Sequence, residues 1–322
     1  MDRLHLMNVF IAVAEEQGFA AAARRLQMSP PAVTRAITAL EEHLKVKLLN
    51  RTTRHVRITE AGSRYLDDAR RILADADAAD EAAAGINAEP RGHLTVTAPV
   101  LFGRTFVMPG IVNYLEQYPE TDIAAQFMDR NVNLLEEGID VGIRIGELPD
   151  SSMRALRVGS VRLVLCASPE YLEKHYPSPK NAPSQTHASS QKHGLPQHPN
   201  ELLSHTIIAS SAGNNAVDWR FNMQKNSKNP KEKTLRIKPR LTTTTNDSAI
   251  DAAVRGFGIA RLLSYQIAPQ VASGELKIIL SDYEPTPRPI HIVHREGRYT
   301  STRVRAFIDL MAEQLRSNPI LN

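Results

Sequence analysis

The chain has 322 residues, enough for two or three separately packed domains, and its 42% apolar and 23% charged residues exclude a disordered or fibrous polymer. A formal net charge of +4 with a pI near 9.2 permits nucleic-acid binding without arguing for it, so the placement of the basic residues matters more than their sum. The single cysteine, Cys166, excludes an internal disulfide, fits a reducing cytoplasm and reads as a small buried hydrophobe.

Residues 6–14 are mostly apolar and end in Ala12-Val13-Ala14, which imitates a signal-peptidase site. The basic head is only Arg3, however, and Leu6, Phe10 and Val13 recur at helical spacing, so an amphipathic helix over residues 4–16 is the better reading. Gly18 breaks it. A short alanine-rich helix follows over 19–26, then a tight turn at Gln27-Met28-Ser29. Ser29 is a good N-cap, and Pro30 stands at the first helical position, where its missing N–H costs nothing. The third helix runs to about residue 44 with Val33, Ile37, Leu40 and Leu44 on its apolar face. Two helices joined by so short a turn form a helix-turn-helix, whose second helix enters the major groove of double-stranded DNA N-terminus first. The DNA-facing candidates are therefore Ser29, Pro31, Thr34, Arg35 and Thr38. Arg35 suits a guanine edge or a phosphate, and the threonines suit a base edge or a thymine methyl.

Two short β segments, 46–51 and 55–58, flank Thr52-Thr53-Arg54 and predict a wing. Lys45, Lys47, Arg51, Arg54 and Arg57 crowd it with no acid among them, which suits a backbone clamp. Thr59 caps a long helix to about residue 88. Along it Tyr65, Ala69, Ile72, Ala76, Ala79, Ala83 and Ile86 recur every three or four residues, a narrow heptad seam that predicts a homodimer. Packing on its own domain is the plainer alternative for the same seam.

Residues 87–92 read as a hinge. Beyond it the texture is strand–helix alternation: strands at 94–98, 121–128, 139–145 and 161–167, and helices at 107–118 and 131–137. This predicts parallel sheets covered by helices, with ligands at the carboxyl ends of the strands.

These residues resemble the LysR-type transcriptional regulator family. The resemblance runs through FAAAARRLQMSPPAVTRAITALEEHL (19–44) and LLNRTTRHVRITEAG (48–62), and continues in NLLEEGIDVGIRIGEL (133–148), LVLCASPEYL (163–172) and AVRGFGIARL (253–262). Pro30 departs from the polar residue many members carry there. The resemblance implies an N-terminal all-α winged helix-turn-helix with a long dimerisation helix, and a C-terminal α/β region of two subdomains resembling periplasmic binding proteins. The expected domains are 1–58 for DNA binding, 59–88 for the linker helix and 93–316 for effector binding. The last divides into a first subdomain of 93–165 and 266–316 and a second of 166–265. The second is expected to hold strand segments at 206–209, 219–223 and 234–245 and a helix at 247–256. Val304, Phe307, Ile308, Met311 and Leu315 form the apolar stripe of a last helix on the first.

A cleft between the subdomains is the expected effector site, with Val100, Phe102, Arg104, Arg130, Gly146, Ser210 and Asp247 as candidates. Arg104, Arg130 and two helix N-termini favour an organic acid. The resemblance also implies a tetramer and RNA polymerase as a further partner, in a cytoplasmic, nucleoid-associated protein. Residues 177–199 read as a flexible insertion. His175, His187, His193, His198 and His205 fall in or near it, but their irregular spacing predicts no metal site. Lys225 to Lys233 form a basic segment that reads as a solvated hairpin tip. No phosphate-binding loop, nucleophile elbow or zinc-protease motif occurs, so no enzyme activity and no cofactor are expected. The competing reading is a cytoplasmic solute-binding protein with an N-terminal dimerisation module, which the basic wing disfavours.

Overall fold

A computed structural model describes residues 2–51, 56–84, 89–130, 132–134, 136–148, 153–175, 195–210, 216–223, 232–295 and 301–321. The N-terminal body is built from α1 (Arg3–Glu15), α2 (Phe19–Arg25) and α3 (Pro30–Leu44). Val9, Phe10 and Val13 of α1 meet Val33, Ile37 and Leu40 of α3 in one core. All six are fully buried, and each such side chain stabilises the fold by about 1.5–3 kcal/mol. The small Ala22 and Ala23 let α2 close on them. Gln27 takes a left-handed backbone, φ 52°, in the turn that leads into α3.

The wing pairs β1 (Leu49–Arg51) with β2 (Val56–Ile58) antiparallel, Leu49 opposite Ile58 and Arg51 opposite Val56. Then α4 (Glu60–Ala84) begins. Thr59 caps it as expected, its Oγ1 accepting the Gly62 N–H at 2.9 Å. The start of α4 lies against the wing so closely that a Cβ on Gly62 would sit 2.1 Å from the Leu48 carbonyl oxygen.

The expected seam of α4 is divided. Ala69 is fully buried and, with Tyr65, Leu66 and Leu73, packs on Met7 and Ile11 of α1. The Tyr65 ring lies 5.7 Å from that of Phe10, and Arg70 pairs with Glu15 at 2.7 Å. Ala69 is therefore core of its own domain, and half-buried Tyr65 packs beside it. Further along, Ile72 is 38% exposed, Ala76 is half-buried and Ala79 is exposed. The Ala83 side chain and Ile86 lie outside the described residues.

The C-terminal region opens with β3 (Gly92–Ala98), α5 (Val100–Phe102), a π-turn (Gly103–Val107) and α6 (Met108–Gln117), the last three forming one continuous helical stretch. Next come β4 (Thr121–Phe127), β5 (Val141–Ile145) and β6 (Met153–Val161). After Arg162 the chain enters a second sheet with β7 (Leu163–Ala167), α7 (Pro169–His175) and β8 (Ile207–Ser210), while β9 (Val217–Asn222) and β10 (Glu232–Ile237) pair with each other in a separate two-stranded sheet. It continues through β11 (Leu241–Thr243), α8 (Asn246–Val254), β12 (Ile259–Leu263), α9 (Ala268–Ala272) and β13 (Lys277–Ile279). β14 (Arg288–Arg295) and α10 (Thr302–Arg316) return to the first sheet.

The strand orders are β4-β3-β5-β14-β6 and β11-β8-β12-β7-β13. Neither sheet is wholly parallel, against expectation. β3, β4 and β5 run parallel, as do β8, β11 and β12, each linked by crossovers within its own sheet. β6, β7, β13 and β14 run antiparallel to their neighbours because they carry the chain between the sheets instead of around one. Since β13 pairs with β7, the chain leaves the second sheet only after Ile279, not near residue 266. The expected single strand at 161–167 is two, broken at Arg162, and the expected strand at 234–245 is likewise β10 and β11. The expected helix at 131–137 is, in its described residues, a single turn. Glu137 N–H donates to Asn133 O at 3.0 Å, and Gly138, at φ 64°, ends the turn before β5 can begin.

One core runs across both sheets. Phe102 and Phe106 meet Tyr265 at ring distances of 5.3 and 5.7 Å, joining the α5 stretch to the segment after β12. α10 lays Phe307, Ile308, Met311 and Leu315 into the same core, and the Tyr114 hydroxyl donates to Arg303 O at 2.9 Å beneath it. Cys166 is buried, and burial pushes its thiol up to about 12.

Candidate DNA-reading face and effector cavity

The start of α3 is shaped by its two prolines. Ser29 is extended, φ −76° and ψ 144°, in N-cap position, yet its hydroxyl makes no capping bond. A cap accepts from the N–H of the second or third helical residue. Here the second is Pro31, which has none, and the third, Ala32, donates to the Ser29 carbonyl at 2.9 Å. The exposed Ser29 hydroxyl is thus left for an external group. Pro31 and Arg35 are exposed beside it. Thr34 and Thr38 are half-buried, and their hydroxyls donate back to Pro30 O and Thr34 O, each at 3.0 Å. What they offer outward is a methyl group and an oxygen lone pair, not the donor expected from the sequence.

The wing is tied to this helix by a residue the sequence reading missed. Glu41 is only 3% exposed. Its Oε1 accepts the N–H groups of Leu48 and Leu49 at 3.0 and 3.2 Å, and its Oε2 accepts from Lys47 Nζ at 2.7 Å. Burial works to raise its pKa, but the Lys47 ammonium and the two amides outweigh it and hold the carboxyl below the usual range. Lys47 pairs with α3 while its side chain stays 72% exposed. Its acid partner lies on the preceding helix, outside the stretch that had read as acid-free. Lys45 and Arg57 remain exposed. Arg54 and the Arg51 side chain lie outside the described residues.

A cavity of 490 Å³ lies between the two sheets' helical layers, within the size of small-molecule sites. The π-turn contributes Arg104, Thr105 and Phe106; α8 contributes Asp247, Ile250 and Asp251; Tyr265, Gln266 and Gln270 line it from the connecting segment. A π-turn is one residue wider than an α-turn and re-aims the side chains it carries. Of the expected effector residues, the cavity brings together Arg104 and Asp247. Phe102 is fully buried beneath it, packed on Tyr265. Arg130 is taken by Glu137, which it grips with two bonds of 2.7 and 2.6 Å. The Val100 N–H donates to Asp129 Oδ1 at 3.0 Å, so an acid of the chain already occupies the first donor of that helix start. Gly146, at φ 121°, donates its N–H to Pro289 O. Ser210 ends β8, paired opposite Thr243. Neither Gly146 nor Ser210 borders the cavity. Burial also holds the Tyr265 phenol well above its ordinary pKa, so it stays neutral.

His175, His198 and His205, the described histidines of this stretch, make local contacts. The His198 Nδ1 accepts from Asn200 N–H at 3.1 Å at a helix start. His205 Nδ1 lies 3.1 Å from the Tyr171 hydroxyl, with the His175 ring 5.2 Å away. Among the described residues no three His, Cys, Asp or Glu side chains gather to hold a metal. His187 and His193 lie outside the described residues, as does most of the basic segment at 225–233. No helix among the described residues is long and apolar enough to cross a membrane.

Residues 4–63 match the family described as "Bacterial regulatory helix-turn-helix protein, lysR family", and residues 87–316 match the "LysR substrate binding domain". An uncharacterized HTH-type transcriptional regulator of Haemophilus influenzae is 30% identical over 94% of this chain and 98% of its own length. The HTH-type transcriptional regulator CrgA of Neisseria meningitidis serogroup C is 30% identical, covering 97% of each chain. A solved structure of CrgA, from Neisseria meningitidis, superposes with a TM-score of 0.57 at 29% identity, over 98% of this chain and 99% of that one. With its reading helix, wing and two-sheet body all matched in order, the chain belongs to the LysR-type transcriptional regulators, proteins that join a DNA-binding helix-turn-helix to an effector-binding domain.

Proposed function

We propose that the chain binds operator DNA as a homodimer through paired α3 helices and wings, and that a small molecule held in the Arg104–Asp247 cavity adjusts that binding. Ser29, Thr34, Arg35 and Thr38 would face the major groove. Arg51, Arg54 and Arg57 would hold the backbone, and the run Ile72–Ala76–Ala79 of α4, exposed or half-buried in the single chain, would meet its copy in a partner. The observation that carries this reading is the Glu41 tether, which fixes wing and recognition helix as one rigid unit beside an exposed Arg35 and an uncommitted Ser29 hydroxyl. A solute-binding protein with a helical dimer module would have no use for such a unit. The role is regulatory rather than enzymatic, in a cytoplasmic, nucleoid-associated protein. The proposal extends to a tetramer and to contact with RNA polymerase, as the family resemblance implies.

A salt titration of binding to a selected genomic site tests it. Affinity should fall steeply with salt. Arg54→Ala should weaken all sequences alike and lower the logarithmic salt slope by about 1, while Arg35→Ala should cost about 1–3 kcal/mol and relax specificity. A flat salt response sinks the proposal. For the cavity, Thr105→Trp should narrow the space and abolish any ligand's effect on DNA binding.

A further inference from the structure

The cavity lining carries a charge pattern that an organic acid alone does not answer. One cation, Arg104, faces it together with two carboxylates, Asp247 and Asp251, and two amides, Gln266 and Gln270. Asp247 and Asp251 stand one turn apart on α8, so they share a face. Among the described residues no ion pair joins Arg104 to either of them. Opposite charges that border one cavity without neutralising each other leave both signs for an occupant. Gln266 is spent: its Oε1 accepts from Leu263 N–H at 2.9 Å. Apart from Thr105 the remaining walls are apolar, among them Leu101, Phe106, Ile250, Pro269 and the Tyr265 ring.

We propose that this cavity binds a zwitterion of amino-acid type, its carboxylate on Arg104, its ammonium on Asp247 and Asp251, and its apolar body against Phe106 and Ile250. This deepens the effector reading above and rests on it. The geometry also states what binding does. Arg104 rides on the π-turn over the first sheet, and the aspartates ride on α8 over the second. A ligand that needs both charges bridges the two bodies and favours the arrangement in which both are in reach. An acid or an amine alone would hold one side only.

The test uses the full chain and thermal-shift and calorimetric titration with the proteinogenic L-amino acids, each against its deaminated acid and its decarboxylated amine. The expected result is stabilisation by one or more amino acids. Loss of either charged group from the ligand should weaken binding by at least about tenfold, as should Arg104→Gln or the pair Asp247→Asn and Asp251→Asn. Acids that bind as tightly as their parent amino acids, with the aspartate variant indifferent and Thr105→Trp inactive, overturn the zwitterion and leave the effector cavity standing. No response to any amino acid also overturns it. Binding that survives Thr105→Trp unchanged places the ligand outside the cavity, and the effector reading falls with the proposal.

Discussion

At the scale of single residues, the functional head turns on hydrogen-bond accounting. Ser29 keeps its hydroxyl because proline removes one cap donor and the Ser29 carbonyl takes the other. Thr34 and Thr38 lose theirs to the carbonyls one turn back. Glu41 does the opposite of all three, burying a charge so that two wing amides and an ammonium are satisfied at once. Glu41→Gln should destabilise the chain by about 1–3 kcal/mol, since it sets an amide N–H₂ against donors that need an acceptor. The pH dependence has a definite sign. The folded pKa lies below the unfolded one, so the carboxylate's contribution is complete above about 4.3, the unfolded value, and is lost as pH falls through the lower folded value. Melting temperatures of wild type and Glu41→Gln should therefore differ at neutral pH and converge in acid. A gap that widens on acidification would remove Glu41 from this role. Gly62 is fixed by space rather than by backbone angle, because a methyl there meets the Leu48 carbonyl.

At the scale of elements, α4 does two jobs along its length. Its first turns complete the N-terminal core through Ala69 and the Arg70–Glu15 pair. Its middle leaves Ile72, Ala76 and Ala79 at the surface or half-covered. Ile72→Asp should then leave the melting temperature nearly unchanged, within about 0.5 kcal/mol as for exposed positions, while shifting sedimentation from dimer to monomer and weakening binding to two-half-site DNA. An unchanged sedimentation profile would move the dimer contact elsewhere. The wing shows the same economy of means: it is too short to be stable alone, and Leu48 and Leu49 anchor it in the helical core.

At the scale of the whole molecule, the two sheets are joined by more than their crossing strands. The Phe102–Phe106–Tyr265 cluster spans them, directly under the cavity that Phe106 and Tyr265 help to line. A ligand in that cavity, as proposed, would touch side chains that both bodies share, which is the physical requirement for a signal to leave the site. Phe102→Ala should cost about 3–5 kcal/mol, the usual loss for a fully buried phenylalanine. Urea unfolding followed by the fluorescence of Trp219, the sole tryptophan, measures it. A loss below about 1 kcal/mol would show that the cluster does not join the bodies.

The sequence by itself determined the head. The helix-turn-helix depends on contacts close along the chain: a proline at a helix start, a stripe at helical spacing, a threonine cap on α4. Local chemistry writes such features directly into residue order. It also determined that strands and helices alternate beyond residue 92. Only the tertiary structure decided how the acids and bases are partnered. Nothing in the order of residues joins Glu41 to the Leu48 amide, Arg130 to Glu137, or Ala69 to Met7 instead of a second chain, because each choice depends on which surface reaches the side chain first. The direction of β6, β7, β13 and β14 was likewise invisible, since an antiparallel strand and a parallel one carry the same pattern when both faces are covered. The proposed effector site changed most for the same reason. An expectation of an anion site built on two arginines became a cavity with one arginine and two aspartates, because folding neutralised Arg130 locally and brought α8 across to Arg104.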